Sequence, residues 1–437
     1  MKILMPTMGT RGDIEPYIAL ANELNNSGYE AVIATHLCWK NLIEQNNIKF
    51  YPIGPNINIE YEASVIRGRS NNWFLGAIRT MKFMFKIMEN ASLEIKQLCL
   101  DASLVIASHS HLGAAEAEAC GIPYISVTLQ PGFLPRKLEK KGPFKAYSEK
   151  LISAMISPFM VGSYNKLRKR LGLNRVKTFD ALLSPDLNLI PISPLVYPAD
   201  RFWEEKNKVV GYWFSKDYMD YQPSVQLMDF IKEGPPPIII SLGAMAFESR
   251  EEREKLDILV NAVNNTEMRA IVQGFNKTLE NYVLPDNIIS LESVPHGWLF
   301  RQAYCVIHHG GFGTTASTLT AGVPSIVIPH MLDQYMWANK IFELGAGPKW
   351  ISSNKLCVES LTCTINDLKK NYQEISNNVQ TLSKQMESEN GLAKAVKLIS
   401  GNPVYGILIP KNMEDGEINA AISRHRDELS DIGGSQS

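Results

Sequence analysis

The chain has 437 residues, a formal net charge of −1 at pH 7 and six cysteines. A chain of this length is too long for a single hydrophobic core and predicts two domains of roughly 200 residues each. The near-zero net charge argues against a nucleic-acid-binding protein, and the scattered cysteines lack the spacing of a zinc site or a disulfide framework. No stretch approaches the ~18 consecutive apolar residues of a membrane-spanning helix. Residues 1–6 are predicted to be a strand and not a signal peptide, so we expect a cytoplasmic protein.

Predicted strands and helices alternate through the first half of the chain. Apolar runs predict strands at residues 2–5, 29–35, 104–107 and 123–128, and helical periodicity predicts helices at residues 14–26, 56–100 and 112–119. This alternation is typical of a Rossmann-like domain, which we assign to residues 1–216. The turn after the first strand lacks the Gly-x-Gly-x-x-Gly spacing, so a dinucleotide site is disfavoured.

A proline-rich stretch divides the chain near its middle. Prolines at 223 and 235–237 break regular structure, and we place an interdomain linker at residues 217–237. The second domain, residues 238–400, is predicted to be another Rossmann-like sheet, with strands that include residues 269–272, 287–291, 305–307 and 325–328. The tail, residues 401–437, contains a predicted helix and a polar end.

A glycine-rich turn follows the 305–307 strand. It contains three glycines that let the backbone turn tightly and approach a ligand, namely Gly310, Gly311 and Gly313. Thr314 can cap the helix that follows. The free amides at the start of this helix form an anion site, with His309 beside it as a hydrogen-bond donor.

The next strand leads into Asp333 and Gln334. If both strands belong to one parallel sheet, their carboxyl ends open on the same edge, so the anion site and these two side chains face one crevice. A site that binds phosphate beside two side chains that can hydrogen-bond hydroxyl groups predicts a phosphorylated sugar, such as a nucleotide sugar, as the ligand.

Four ordered sequence blocks resemble the donor-binding signature of inverting GT-B glycosyltransferases, in the bacterial and fungal branch of the UDP-glycosyltransferase family that acts on sterols, macrolides and glycopeptides. The blocks are Val-Pro-His-Gly-Trp-Leu-Phe at 294–300, His-His-Gly-Gly-Phe-Gly-Thr-Thr at 308–315, Ala-Gly-Val-Pro at 321–324, and Asp-Gln at 333–334. The resemblance implies an α/β fold of the GT-B type, in which two Rossmann-like doubly wound domains face a deep cleft. It also implies transfer of a hexose, with formation of an O-glycosidic bond and inversion at the sugar carbon.

Residues 9–16, Gly-Thr-Arg-Gly-Asp-Ile-Glu-Pro, resemble the acceptor-side motif of the same branch. Relatives carry a histidine near the position of Asp13 that acts as the general base, and the resemblance therefore implies this role for Asp13. Asp13 could instead serve only as the N-cap of the first helix. Gly12 and Arg11 are acceptor-side candidates, and Arg11 would either hold a neighbouring carboxylate charged or be solvated.

His109 and His111 follow the 104–107 strand, at the same sheet edge as the Asp13 turn. Either histidine could orient the acceptor or relay a proton, and a loop histidine could also be a solvated bystander. The sequence does not indicate which of the two histidines has such a role.

The remaining donor-side residues are implied by the resemblance. Gly243 lies in the loop after the first strand of the second domain, where Ala244 replaces a phosphate-binding serine of the family. Val294 and His296 correspond to the loop that stacks on and hydrogen-bonds the nucleotide base. Ser317 replaces a ribose-binding glutamate, so the sequence does not distinguish a UDP donor from a dTDP donor or another nucleotide. Because no Asp-x-Asp triplet occurs, we expect neither a metal nor another cofactor.

Two apolar segments bear on the acceptor. One concentrates methionines and aromatic residues around Phe83 and Phe85, and it is either ordinary core or the lining of a greasy acceptor pocket. The other, residues 136–160, is basic and then apolar, and it either docks on an anionic membrane surface or forms a solvated loop. Peripheral contact with the inner membrane face therefore stays open.

The sequence thus predicts a metal-independent transferase that uses a nucleotide sugar and a hydrophobic small-molecule acceptor, such as a sterol, a macrolide or a similar natural product. Three alternatives remain: a transferase that acts on a membrane lipid, an epimerase or hydrolase of nucleotide sugars, and a non-catalytic protein that binds the donor for a partner. No pattern in the sequence predicts the oligomeric state.

Overall fold

The computed structural model of the protein describes residues 1–57, 73–134, 161–178, 180–214, 220–242, 249–330 and 332–402, together with residues 62 and 66. The predicted site residue Gly243, the basic and apolar segment 136–160, and the tail beyond residue 402 lie outside these ranges. The described residues form two parallel sheets, one of seven strands and one of five. No helix in this part of the chain is long and apolar enough to cross a membrane.

The strands of the first sheet are β1 (Lys2–Pro6), β2 (Glu30–Thr35), β3 (Lys49–Pro52), β4 (Leu104–Ile106), β5 (Tyr124–Val127), β6 (Asn188–Ile190) and β7 (Asn207–Val209). The strands of the second sheet are β8 (Ile238–Ser241), β9 (Ala270–Gln273), β10 (Ile288–Leu291), β11 (Cys305–His308) and β12 (Ser325–Val327).

The helices are α1 (Arg11–Asn26), α2 (Lys40–Gln45), α3 (Trp73–Cys99), α4 (Ala114–Cys120), α5 (Val225–Lys232), α6 (Ser249–Asn265), α7 (Asn276–Leu279), α8 (His296–Leu299), α9 (Phe312–Ala321), α10 (Leu332–Glu343), α11 (Val358–Lys370), α12 (Tyr372–Glu387) and α13 (Gly391–Ser400). Residues 161–170 are also helical. Short 3-10 turns occur at Leu37–Trp39, Pro131–Phe133, Asp180–Leu182, Phe300–Gln302 and Ser353–Lys355.

Both sheets are doubly wound. The strand orders are β3-β2-β1-β4-β5-β6-β7 and β10-β9-β8-β11-β12, and every pairing is parallel. The order reverses between β1 and β4 in the first sheet and between β8 and β11 in the second, which opens a crevice at the carboxyl ends of these strands. In the central strands β1 and β11 every residue except Lys2 is buried, because helices cover both faces of the sheets. The predicted class, α/β with two Rossmann-like sheets, is confirmed.

Several element boundaries differ from the prediction. Helix α1 begins at Arg11 and not at residue 14, and α5 lies inside the stretch assigned to the linker. The edge strand β3 was not predicted, because its sequence Lys-Phe-Tyr-Pro is partly exposed and contains no apolar run. Strands β6 and β7 have only three residues each, which is too short for a periodic signal.

The last described helix returns to the first sheet. Three side chains of α13 are buried in the core around α1 and β1, namely Ala395, Val396 and Ile399. The helix begins at Gly391, where an added Cβ would lie 2.6 Å from the carbonyl carbon of Gly211. The predicted second domain, residues 238–400, therefore ends with a helix that packs on the first domain.

Gly113 offers a test of how tightly the β4–α4 loop is packed. Its φ is +95°, and a Cβ there would lie 2.3 Å from Cγ of Pro6. Gly121, at the other end of α4, has a φ of +68° and no heavy atom within 4 Å of an added Cβ. We expect Gly121→Ala to cost about 1–2 kcal/mol from left-handed strain alone, and Gly113→Ala to cost about 1–3 kcal/mol more from overpacking. Urea unfolding of both variants measures the difference, and equal losses would contradict the predicted clash.

Candidate functional site

The amino ends of two helices meet between the two sheets. Helix α1 follows β1, helix α9 follows β11, and an added Cβ on Gly313 would lie 3.5 Å from Cα of Gly12. The predicted acceptor-side Gly12 and donor-side Gly313 thus face each other. Because the first amides of a helix lack intrahelical acceptors, two sets of backbone donors open on one crevice.

Asp13 lies in the first turn of α1, and the N-cap is Thr10. Both the backbone N–H and the hydroxyl of Thr10 donate to Oδ2 of Asp13, at 2.8 and 3.0 Å. Gly9 makes room for this carboxylate, since a Cβ there would lie 2.4 Å from Oδ2. Asp13 therefore takes part in capping as the third helical residue and not as the N-cap, and capping uses only one of its two oxygens.

The other oxygen of Asp13 faces a predicted histidine. Oδ1 lies 3.5 Å from Nε2 of His109, and both side chains are partly exposed, at 29% and 24%. Nδ1 of His109 is buried and has no hydrogen-bond partner among the described residues. The backbone N–H of His109 donates to the hydroxyl of Tyr17 at 3.0 Å. Asp13 and Nε2 of His109 thus form a polar pair at the crevice.

His111 has a different environment. It adopts a left-handed φ of 58°, its ring packs edge-on against Tyr164 at 5.6 Å, and it hydrogen-bonds the backbone of Leu182. Burial, with a smaller contribution from His109, lowers the pKa of His111 to about 4. The structure therefore brings His109, and not His111, against Asp13.

Two acceptor-side predictions, Phe83 and Phe85, are half-buried residues of α3 that pack on the core around β4. The ring of Phe85 meets Tyr164 edge-on at 4.9 Å. These contacts fit the core interpretation of the aromatic segment.

Arg11 reaches across the crevice. Its Nε donates to Glu15 at 2.6 Å, and its Nη1 lies 3.4 Å from Oγ of Ser293 in the second domain. The arginine, predicted as an acceptor-side residue, thus forms an ion pair and an interdomain contact.

The turn between β11 and α9 has the geometry of an anion site. Gly310 has a φ of +84°, and a Cβ there would lie 2.9 Å from the carbonyl oxygen of Gln334. A Cβ on Gly311 would lie 2.4 Å from Nε2 of His309, so the histidine ring lies directly over the turn. Gly311 is the N-cap, and the side chain of Thr314 is buried in the first turn without capping it, which corrects the predicted capping role.

Four histidines surround this turn, each within electrostatic range of at least one other: His296, His308, His309 and His330. Burial, assisted by neighbouring positive charge, lowers the pKa of His296 to about 4 and the pKa values of His308 and His330 to about 3. These three rings are neutral near pH 7. Sequence reasoning missed His330, although its position three residues after the end of β12, on the predicted crevice edge, is a signal that would have found it.

The 294–296 loop lies against the end of β8. Nε2 of His296 is 3.4 Å from Oγ of Ser241, and its ring stacks on Phe300 at 4.4 Å. The buried Val294 accepts a hydrogen bond through its carbonyl from Nε2 of Gln273 at 3.1 Å. Both predicted base-binding residues are therefore fixed by contacts within the second domain.

Asp333 and Gln334 lie in the first turn of α10. Gln334 is buried, and its Oε1 accepts a hydrogen bond from the backbone N–H of His330 at 2.8 Å. This hydrogen bond joins the side-chain carbonyl of Gln334 to the backbone of His330, whereas Asp333 is only half-buried. Among the described residues there is no group of three or more histidines, cysteines or carboxylates that could hold a metal ion.

Two family models match the chain. Residues 3–138 match the glycosyltransferase family 28 N-terminal domain, and residues 258–405 match the erythromycin biosynthesis protein CIII-like C-terminal domain. The chain is 29% identical to a sterol 3-beta-glucosyltransferase of Arabidopsis thaliana, covering 91% of this chain and 67% of that protein. It is 30% identical to a sterol 3-beta-glucosyltransferase of Debaryomyces hansenii, covering 90% of this chain and 26% of that protein. The chain spans 26% to 67% of the length of these two relatives.

Solved structures share the fold. The glycotransferase of kitacinnamycin has a TM-score of 0.71 at 16% identity, with 92% of this chain and 98% of that chain covered. The calicheamicin glycosyltransferase CalG4 has a TM-score of 0.68 at 17% identity, with 92% and 97% covered. A third, the glycosyltransferase VinC in complex with dTDP, has a TM-score of 0.61 at 19% identity, with 91% and 98% covered. The predicted GT-B architecture is confirmed.

The buried neutral histidines predict acid sensitivity. The pKa of His111 is about 4 and that of His308 is about 3, against 6.5 for an unperturbed histidine. At pH values between the folded and the unfolded pKa, the unfolded chain binds more protons than the folded protein. The free energy of unfolding therefore falls as pH falls, by about 1.4 kcal/mol per pH unit for each such histidine. Urea unfolding between about pH 7 and about pH 5 measures this slope. We expect His111→Gln and His308→Gln each to flatten it, and slopes parallel to that of the wild type would contradict the assignment.

Proposed function

We propose that this chain is a GT-B glycosyltransferase of the UDP-glycosyltransferase family and that it transfers a sugar from a nucleotide-sugar donor to a hydroxyl group of a hydrophobic small molecule. The observation that carries the proposal is the meeting of α1 and α9, because it sets the Asp13 and His109 pair opposite the anion site of the glycine-rich turn. The names of the relatives, which are sterol glucosyltransferases, support an apolar acceptor.

The acceptor hydroxyl enters from the first domain. Oδ1 of Asp13 accepts its proton, while the Thr10 hydrogen bonds to Oδ2 hold the carboxylate in place. Nε2 of His109, 3.5 Å from Oδ1, orients the same hydroxyl. The acceptor oxygen then attacks the anomeric carbon from the face opposite the diphosphate, the bond from this carbon to the diphosphate oxygen breaks, and the configuration inverts.

The leaving nucleoside diphosphate gains negative charge at the amino end of α9. Backbone amides of the first turn and the His309 ring over Gly311 stabilise this charge. Neutral His296 and His308 can supply further N–H donors without placing a fixed positive charge in the free site. A metal ion is not needed for this stabilisation, and we propose that transfer is metal-independent.

Substitution of Asp13 separates chemistry from donor binding. Asp13→Asn keeps an oxygen that can accept from Thr10 but removes the base, so we expect kcat to fall about 10²- to 10⁴-fold with little change in donor affinity. Glu15→Gln is the matched control, because Glu15 is an exposed acid on the same helix that pairs with Arg11. Steady-state kinetics measure both variants, and near-normal turnover of Asp13→Asn would remove Asp13 from the base role.

A thermal-shift screen of the purified protein against UDP, dTDP, GDP and their sugar conjugates, with and without EDTA, tests the donor site. A ligand that binds only the folded state raises the Tm, and we expect one nucleotide to do so in both conditions. His309→Ala should reduce the shift. No shift with any nucleotide would remove the donor-site assignment and favour an unrelated use of the fold, and a shift abolished by EDTA would overturn metal independence.

A further inference from the structure

Tyr17 lies on α1 one turn after Asp13, and its side chain is completely buried. Residues four apart share a helix face, so the tyrosine lies beneath the carboxylate. Burial, with the nearby Asp13 charge as a smaller cause, raises the pKa of the phenol far above its usual range. The hydroxyl therefore stays neutral and does not act as the base.

The hydroxyl of Tyr17 ties two loops of the site together. It accepts the backbone N–H of His109 at 3.0 Å, which joins the loop after β4 to the helix that follows β1. The other described anchors of this loop lie on different elements: Tyr164 donates to the carbonyl of Ser110, and His111 hydrogen-bonds the Leu182 backbone. The Tyr17 contact thus links His109 directly to the helix that carries Asp13.

The hydroxyl of Tyr17 has a role other than packing. A phenylalanine would fill nearly the same volume in the same apolar core, so the packing itself does not require an oxygen. A buried hydroxyl is costly unless it is hydrogen-bonded, and here its described partner is the backbone of His109.

We propose that Tyr17 is a positioning residue that fixes His109 relative to Asp13 and so sets the rate of acceptor deprotonation. This inference rests on the proposed function, because it concerns the same Asp13 and His109 pair. The hydroxyl holds the His109 backbone, and the backbone holds Nε2 facing Oδ1. Within the described residues, the hydrogen bond of this hydroxyl goes to the His109 loop and not to the glycine-rich turn.

The test compares Tyr17→Phe with Tyr29→Phe. Tyr29 is also a buried tyrosine of this core, and its hydroxyl bonds Ser400, away from the Asp13 and His109 pair. Each variant removes one tyrosine hydroxyl and its hydrogen bond, so Tyr29→Phe controls for the loss of stability. We expect Tyr17→Phe alone to lower kcat about 10- to 100-fold, because small displacements of catalytic groups are costly, with donor KM and the nucleotide thermal shift unchanged.

Two further readouts distinguish positioning from general packing. In a His109→Ala background, Tyr17→Phe should have no additional effect on kcat, because the group that it positions is absent. Amide hydrogen exchange at His109 should accelerate in Tyr17→Phe and not in Tyr29→Phe. Equal kcat for wild type and Tyr17→Phe, or a full additional loss in the His109→Ala background, would overturn the inference. A wild-type protein that transfers no sugar would instead overturn the proposed function, and the exchange measurement would still test the tether.

Discussion

The close approach of α1 and α9, at Gly12 and Gly313, is the constraint on which the site depends. Each helix starts at the switch point of its own sheet, so two positive helix ends face one crevice. Phe312, the first residue of α9, supports this approach, because its ring packs on Trp337 in the second domain and on Tyr212 in the segment that leads out of the first. The helix that follows the glycine-rich turn is thus anchored to both halves of the molecule.

Around this contact, burial divides the histidines into two kinds. His109 is partly exposed and faces a carboxylate, which suits proton handling. His296, His308 and His330 are held neutral by burial and border the anion site, where they can donate hydrogen bonds. Before a ligand arrives, the site therefore relies on dipoles and N–H groups more than on fixed charges, which avoids burying several positive charges together.

The sequence was most informative where a local pattern sets the geometry. The glycine-rich turn at 310–313 was predictable because the glycines that shape it and the start of the helix that follows are adjacent in sequence. The choice between His109 and His111 was not predictable, because it depends on the left-handed backbone at His111 and on the distant Leu182. The contact of Tyr17 with His109 spans 92 positions, and Tyr17 itself fits the apolar periodicity of a core residue, so no local signal marks it. The half-buried packing of Phe85 on Tyr164 is likewise a tertiary property.

The return of α13 to the first sheet affects how this protein can be made by a ribosome. The core around β1 contains Ala395, Val396 and Ile399, so the first sheet to be synthesised completes its packing only after residue 399 has emerged. Until then the apolar surface of α1 that α13 covers stays open to solvent or to other chains. The second sheet, whose described strands all lie between Ile238 and Val327, can complete its strand pairing earlier. The first domain is therefore synthesised first but completes its packing last. A chain that is cut within the linker would leave the first domain without a piece of its core.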